Sequence, residues 1–233
     1  MASMLCLLPT VLSAGELGDF HRQVADAYAP YRSAMFYLRT GNPGVASLEL
    51  GAAAKQWQAV AERFGDQTPD AFSEDPAFAD SLTAISKAFE DGAAALQKED
   101  AEAATEALEP IRSELAALRR RNGLRTFSDC IDDMNAAMDR LWVLRDAPPD
   151  FDDPAAVNQA KRAAAVTLFL YQRCHDQASD QQKAEEEFQR LFDGSLASLP
   201  LVFEALDQKN EGLLVNLLRE LRSFDRMIWL QFG

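Results

Sequence analysis

The sequence feature that most constrains the fold is a weak repeat displaced by 110 residues. The segment EALEPIRSELAALRRRNG at 106–123 has a counterpart, NLLRELRSFDRMIWLQFG, at 216–233. In both copies a polar turn interrupts the apolar pattern at the same distance before the segment, QKEDAE at 97–102 and DQKNEG at 207–212. Self-similarity at a fixed displacement indicates an ancient tandem duplication, so we predict one structural unit that occurs twice.

Composition sets the limits within which this duplication folds. The chain has 233 residues, of which 48% are hydrophobic, and this is enough for two ordinary cores. The net charge of −14 predicts a surface that repels nucleic-acid phosphates and anionic lipid heads. We therefore expect a protein or small-molecule partner and no nucleic acid.

The N-terminal apolar run raises the question of export. Met4–Leu12 (MLCLLPTVL) is followed by three small residues, SAG at 13–15, as in the hydrophobic region and cleavage zone of a signal peptide. The first basic residue is Arg22, so the usual basic region is missing, and a short apolar arm packed on the protein is the alternative. We predict residues 1–15 as a possible truncated signal segment and a periplasmic location, with a cytoplasmic location as the alternative. The run is too short to span a membrane.

Apolar residues recur at helical spacing through the rest of the chain. Between Leu17 and Arg39 they fall three and four residues apart, which is the pattern of one amphipathic helix face, and Pro43 with its flanking residues ends this helix. No window alternates with a period of two between hairpin turns, so we assign no strands. We predict an all-α protein of about eight helices, arranged as two tandem antiparallel four-helix bundles at 16–125 and 126–233.

This plan resembles the cytochrome c′ and cytochrome b562 bundles, here in tandem. Four antiparallel helices with a short polar turn before the last are typical of that family. The resemblance implies a CxxCH haem-attachment motif near the end of the fourth helix, around 118–123 or 228–233, and neither place contains a Cys or a His. A b562-like site would also need a His late in the fourth helix. The resemblance therefore implies a haem-free relative of these periplasmic bundles, with no bound cofactor.

The cysteines and histidines offer two possible pairings. Cys130 lies near the start of the fifth predicted helix and Cys174 near the end of the sixth, so an antiparallel hairpin brings them to similar heights. A disulfide between them is possible in an oxidising compartment, and two small buried residues are the alternative. Cys174 and His175 are also weak candidates for a metal site, because adjacent helical residues point about 100° apart and need a third ligand from elsewhere. Cys6 falls within the predicted signal segment.

Two arginines recur inside the repeated helices. Arg112 and Arg222 occupy the same place in the two copies, and each is followed by Ser. A mid-helix Arg of this kind pairs with an acid across the bundle or anchors an anionic ligand, and both roles stay open. We interpret the aromatic residues of both copies as core rather than as the lining of a pocket, because they fall at helical spacing.

The sequence contains no catalytic motif that we can recognise. G-x-S-x-G, the P-loop, G-x-G-x-x-G and H-E-x-x-H are all missing. We therefore predict no catalytic residues and no enzyme. The predicted function is a non-enzymatic exported binding or interaction protein, and the alternative is a periplasmic carrier of a metal such as copper or iron, or of haem.

Overall fold

The computed structural model of the protein describes residues 12–233, with side chains from residue 15 onward. Over this range the chain forms helices joined by turns and contains no strand, so the predicted all-α class is confirmed. Most of the predicted signal segment at 1–15, including Cys6, lies outside the described residues. None of the helices in the described range is both long and apolar enough to cross a bilayer.

The first of two compact units ends at Leu124, close to the boundary predicted after residue 125. Its helices are α1 (Leu12–Arg39), α2 (Pro43–Asp66), α3 (Phe78–Gln97), α4 (Ala101–Leu108) and α5 (Pro110–Arg121). A 3-10 turn at Asp70–Phe72 lies in the loop between α2 and α3. This loop contributes to the core, because Phe72 is buried.

One helix predicted at the end of the first unit is two helices in the structure. The first part, α4, ends at Leu108, and α5 begins at Pro110. Proline lacks a backbone N–H, and its ring crowds the carbonyl four residues earlier. The same residue fits the first turn of a new helix, so the break has a local cause.

The second unit begins at Arg125. Its helices are α6 (Phe127–Trp142), α7 (Pro154–Gln177), α8 (Asp180–Lys183), α9 (Glu186–Asp207) and α10 (Glu211–Phe232). A 3-10 turn at Val143–Arg145 follows α6 directly. A helix of a single turn, α8, precedes the long helix α9.

Helix contacts close into a ring within each unit. In the first unit α2 packs against α1 and α3, α3 packs against α4 and α5, and α1 packs against α4. In the second unit the ring runs from α6 to α7, then to α9 and α10, and back to α6. Each long helix thereby buries its apolar face against neighbours, which is the main source of stability for amphipathic helices.

Local sequence signals determine where several of these helices begin. Asn42 caps α2 and Asp153 caps α7, and each side chain accepts a hydrogen bond from a backbone N–H of the first turn. In both helices a proline, Pro43 or Pro154, occupies the first turn, where its missing N–H costs nothing. Such caps satisfy backbone groups that the helix itself leaves unpaired.

The polar turns singled out in the repeat have the same backbone conformation in both units. Glu99 has φ of 60° and Lys209 has φ of 53°, although neither is a glycine. Each is followed by a helix cap, Asp100 for α4 and Asn210 for α10. Because a left-handed conformation costs a non-glycine residue free energy, its recurrence at a displacement of 110 residues supports a shared local structure.

Buried positions repeat between the two units as well. The buried residues of α9 and α10 lie 110 positions after the buried residues of α3, α4 and α5, as Phe188 does after Phe78. The buried residues of α7 lie 114 positions after the buried residues of α2, as Tyr171 does after Trp57. Below, we use these displacements to define equivalent positions in the two units.

Candidate functional site

Cys130 on α6 and Cys174 on α7 form a disulfide in the second unit. The sulfur atoms are 2.05 Å apart, the Cα atoms are 5.7 Å apart, and the two residues are separated by 44 positions in the sequence. Both side chains are buried. Closing a loop of this size restricts the unfolded chain and stabilises a protein by roughly 2–4 kcal/mol. The disulfide therefore links α6 covalently to α7 and has a structural role.

The weak metal candidates, Cys174 and His175, have other contacts in the structure. The sulfur of Cys174 is bonded to Cys130 and so offers no thiolate to a metal. The ring of His175 lies 6.0 Å from the ring of Phe188 and 6.0 Å from that of Phe192. No group of three His, Cys, Asp or Glu side chains that could hold a metal ion occurs among the described residues.

Arg222, one of the two repeated arginines, lies between two carboxylates. Its Nη1 is 2.6 Å from Oδ1 of Asp139 on α6 and 3.1 Å from Oδ2 of Asp225 on α10. Its guanidinium also lies 5.8 Å from the ring centroid of Trp142, within the range of a cation–π contact. Pairing with an acid on a neighbouring helix is therefore the role that Arg222 has here. Its counterpart Arg112 is half-buried on α5.

Asp225 is the centre of a buried polar cluster, and the residue is 2% exposed. Asn135 Nδ2 donates a hydrogen bond of 2.6 Å to its Oδ1, and the Tyr171 hydroxyl donates one of 3.0 Å to the same atom. Burial raises the pKa of Asp225, although these hydrogen bonds and the charge of Arg222 oppose the rise. Burial also raises the pKa of Tyr171 well above its ordinary value, and the adjacent carboxylate raises it further.

The first unit has no such cluster at the equivalent position, where Leu115 is buried instead. The shared arrangement of helices therefore accepts an apolar side chain at this point. A buried ion pair is seldom more stabilising than well-packed apolar residues. Asn135 and Tyr171 both donate to Asp225, which favours a role in the packing of α6, α7 and α10 over a ligand site, although Arg222 Nε is buried without a hydrogen-bond partner.

The first unit contains a surface groove of about 550 Å³ between α2 and α3. A volume of this size lies within the range of about 300–1,000 Å³ that is common for small-molecule sites. The groove is open along one side, and residues of both helices line it. It is a candidate binding site formed by described residues of the first unit.

The base of the groove is apolar and held in place by hydrogen bonds. Trp57 of α2 and Phe89 of α3 are both buried, with ring centroids 6.2 Å apart. The indole N–H of Trp57 donates a hydrogen bond of 3.0 Å to Ser86 Oγ, and that hydroxyl donates one of 3.0 Å to the carbonyl of Leu82. These bonds fix the orientation of the indole ring, so the base is preformed.

The rim of the groove is polar and carries more negative than positive charge. The lining includes two carboxylates, those of Glu62 and Glu90, and one ammonium group, that of Lys55. Gln58 Nε2 donates a hydrogen bond of 2.7 Å to Oε1 of Glu62. Because the whole chain also carries a net charge of −14, the rim attracts cations more than anions.

Small side chains create the groove, and their equivalents in the second unit are larger. Ala54 corresponds to Leu168, Ala61 to His175, Ser86 to Leu196, and Ala93 to Phe203. In the second unit these larger side chains are half-buried. The same arrangement of helices can therefore fill this space, and the first unit leaves it open.

This groove was not predicted from the sequence. The aromatic residues, Trp57 among them, were interpreted as core, which agrees with the burial of Trp57. The available signal was the seven-residue spacing of Ala54 and Ala61, which places two small residues on the same face of α2 as Trp57. That signal has meaning only once α3, with Ala93, is known to be the neighbour.

We compared the chain with protein-family models, with curated proteins and with solved structures, and none of the three comparisons found a match.

Proposed function

We propose that this chain is a non-enzymatic exported binding protein whose first unit binds a small organic cation with an apolar body in the groove between α2 and α3. The observation that carries the proposal is the set of small residues at the groove. At equivalent positions the second unit has Leu, His and Phe, so the open space is not a requirement of the fold.

The chemistry of the ligand follows from the two parts of the groove. The methyl groups of Ala54, Ala61 and Ala93 surround the buried rings and offer an apolar surface. Transferring apolar surface of a ligand from water to such a surface gives about 25 cal/mol per Å². The carboxylates of Glu62 and Glu90 then favour a positive group at the rim, each by about 0.2–1 kcal/mol because they are exposed to solvent.

The groove supports binding rather than catalysis. Its lining contains neither His nor Cys. The hydroxyl of Ser86 accepts a hydrogen bond from Trp57 and donates one to Leu82, so it is engaged in the structure rather than paired with a base. A nucleophile needs an adjacent base to be activated, and the lining residues supply no such pair.

Export of the chain is supported by the disulfide between Cys130 and Cys174. Disulfides persist in oxidising compartments such as the bacterial periplasm and are rare in the cytosol. As part of this proposal, the chain is a haem-free relative of the periplasmic cytochrome bundles that it resembles. The alternative of a metal carrier receives no support from Cys174, because its sulfur is part of the disulfide.

A matched pair of probes tests the proposed ligand class. Phenylbutylamine and 5-phenylpentanoate have the same phenylbutyl body and opposite charges. For a ligand of this size we expect the amine to bind with a dissociation constant of about 1 mM, since small ligands gain about 0.3–0.4 kcal/mol per heavy atom. Saturation-transfer NMR detects binding in this range, and we expect a clear signal for the amine and little or none for the acid.

Two variants on α3 locate the binding. Ala93→Phe fills the groove with the side chain that the second unit carries at Phe203, and Ala94→Phe adds the same ring at an exposed neighbouring position outside the groove. We expect Ala93→Phe to abolish the amine signal and Ala94→Phe to retain it. Equal binding by both variants, or equal binding of both probes, would contradict the proposal.

A further inference from the structure

The exposed face of α7 carries two large apolar side chains. Phe169 is 58% exposed and Val166 is 46% exposed, and they lie three residues apart on the same side of the helix. The first unit has Lys55 and Ala52 at the equivalent positions of α2. The repeat therefore does not require apolar residues here, and Phe is among the residues that are enriched at protein interfaces.

Opposite charges lie at equal distances on either side of Phe169. Arg162 precedes it by seven residues and Asp176 follows it by seven. Seven residues are close to two helical turns, so the three side chains lie along one line of the helix surface, with about 10 Å between neighbours. Arg162 is exposed, and the side chain of Asp176 is 81% exposed.

We infer that α7 pairs with α7 of a second copy of this chain, antiparallel, about a two-fold axis that passes beside Phe169. In such a pair the two Phe169 rings meet at the centre. Arg162 of each copy then faces Asp176 of the partner subunit, so the ion pair forms twice. A two-fold interface requires a surface that is complementary to itself, and this spacing of charges about an apolar centre meets that requirement.

The size of this face predicts a weak dimer. A stable protein interface buries about 1,200–2,000 Å² in total, and one face of a single helix supplies less than that. Aromatic residues at the centre and charged residues at the rim are nevertheless the usual arrangement of an interface. We therefore expect a monomer–dimer equilibrium that depends on protein concentration and weakens with added salt.

Sedimentation velocity over a range of concentrations tests the dimer. We expect the unmodified chain to shift towards the dimer as its concentration rises, and Phe169→Asp to remain a monomer. The control is Leu48→Asp, because Leu48 is 75% exposed on α2 and lies outside the proposed interface. All of these side chains are exposed, so far-ultraviolet circular dichroism should show the same helix content in each variant.

Charge reversal tests the antiparallel geometry. Arg162→Glu places two negative charges opposite each other twice in the dimer, and Asp176→Lys does the same with positive charges. Because each reversal affects two contacts, we expect the dimer dissociation constant to rise about tenfold or more for either variant alone. An equal mixture of the two variants restores both ion pairs in a mixed dimer, and we expect it to associate about as tightly as the unmodified chain.

Three results would overturn the inference. The first is a chain that stays monomeric at its highest soluble concentration. The second is a dimer that Phe169→Asp leaves intact, because the interface would then lie elsewhere. The third is a failure of the mixed variants to associate more tightly than either variant alone, because the two charges would then not face each other.

Discussion

The hydroxyl of Tyr171 donates a hydrogen bond of 3.0 Å to the buried carboxylate of Asp225, which lies 54 residues later in the sequence. This bond joins α7 to α10 in the interior of the second unit. Asn135 of α6 bonds to the same oxygen atom, so three helices meet at one carboxylate. The stability of the second unit should therefore depend on the ionisation of Asp225 and on each of its donors.

Replacing Asp225 by Asn should remove a pH dependence from the stability of the chain. Burial raises the pKa of Asp225 in the folded state above 3.8, its ordinary value. Between that value and the folded pKa, the folded chain holds a proton that the unfolded chain has released. The contribution of Asp225 is therefore fully present below pH 3.8 and is lost as the pH rises through the folded pKa.

Urea unfolding at a series of pH values measures this effect. We expect the difference in unfolding free energy between the unmodified chain and Asp225→Asn to change between pH 3.8 and the folded pKa of Asp225, and to be constant at higher pH. The control is Asp66→Asn, an exposed carboxylate of the first unit. A difference that does not vary with pH would show that Asp225 has the same pKa in the folded and unfolded chains.

Replacing Asp225 by Leu should be strongly destabilising, although Leu115 fills the equivalent position in the first unit. The change leaves the side chains of Asn135 and Tyr171 buried without their acceptor, and each such group costs about 1–3 kcal/mol. Adding Asn135→Leu and Tyr171→Phe removes the stranded donors and should recover much of the loss. Equal stability of Asp225→Leu and the unmodified chain in urea unfolding would contradict this view of the cluster.

Removing the disulfide should lower the stability of the second unit. We expect the unfolding free energy of the double variant Cys130→Ala and Cys174→Ala to fall by roughly 2–4 kcal/mol, because the unfolded chain regains the conformational entropy that the disulfide removes. Mass spectrometry after alkylation, with and without prior reduction, determines whether the bond is present in the unmodified protein. Two free thiols in protein recovered from an oxidising compartment would contradict the disulfide and the support that it gives to export.

The two left-handed residues of the repeat should respond alike to glycine. Glu99→Gly and Lys209→Gly relieve the cost of positive φ and should each raise the unfolding free energy by up to about 1 kcal/mol. The preceding residues, Lys98 with φ of −93° and Gln208 with φ of −82°, provide controls, and glycine there should be neutral or destabilising. A gain in one unit and a loss in the other, in thermal unfolding, would argue against a shared turn structure.

Helical periodicity was sufficient to predict the all-α class, because each long helix buries one apolar face. The break between Leu108 and Pro110 was not predicted, although Pro110 supplies a local reason for it. The contact of Cys130 with Cys174 was open to prediction because a short hairpin connects their helices and sets their relative heights. The displacement of 110 residues was visible in the sequence, whereas the displacement of 114 residues between α2 and α7 became clear only from their buried positions.

The polar cluster and the groove depend on contacts between residues distant in the sequence. Asp225 is an ordinary acidic residue of an amphipathic helix until its position beside Tyr171 is known. The groove is a lack of side-chain volume on two helices, at Ala61 and Ala93, and alanine is common in helices for other reasons. Such a site leaves no pattern in a single helix, so sequence periodicity does not reveal it.

The position of the indole N–H signal of Trp57 during a titration with phenylbutylamine tests the proposed binding site most directly. The chain has three tryptophans, so a proton–nitrogen NMR spectrum contains few indole signals, and Trp57→Phe assigns the one that matters. We predict that the amine shifts the signal of Trp57 and leaves those of Trp142 and Trp229 in place. An unchanged Trp57 signal at saturating amine, or a shift confined to the tryptophans of the second unit, would contradict the account.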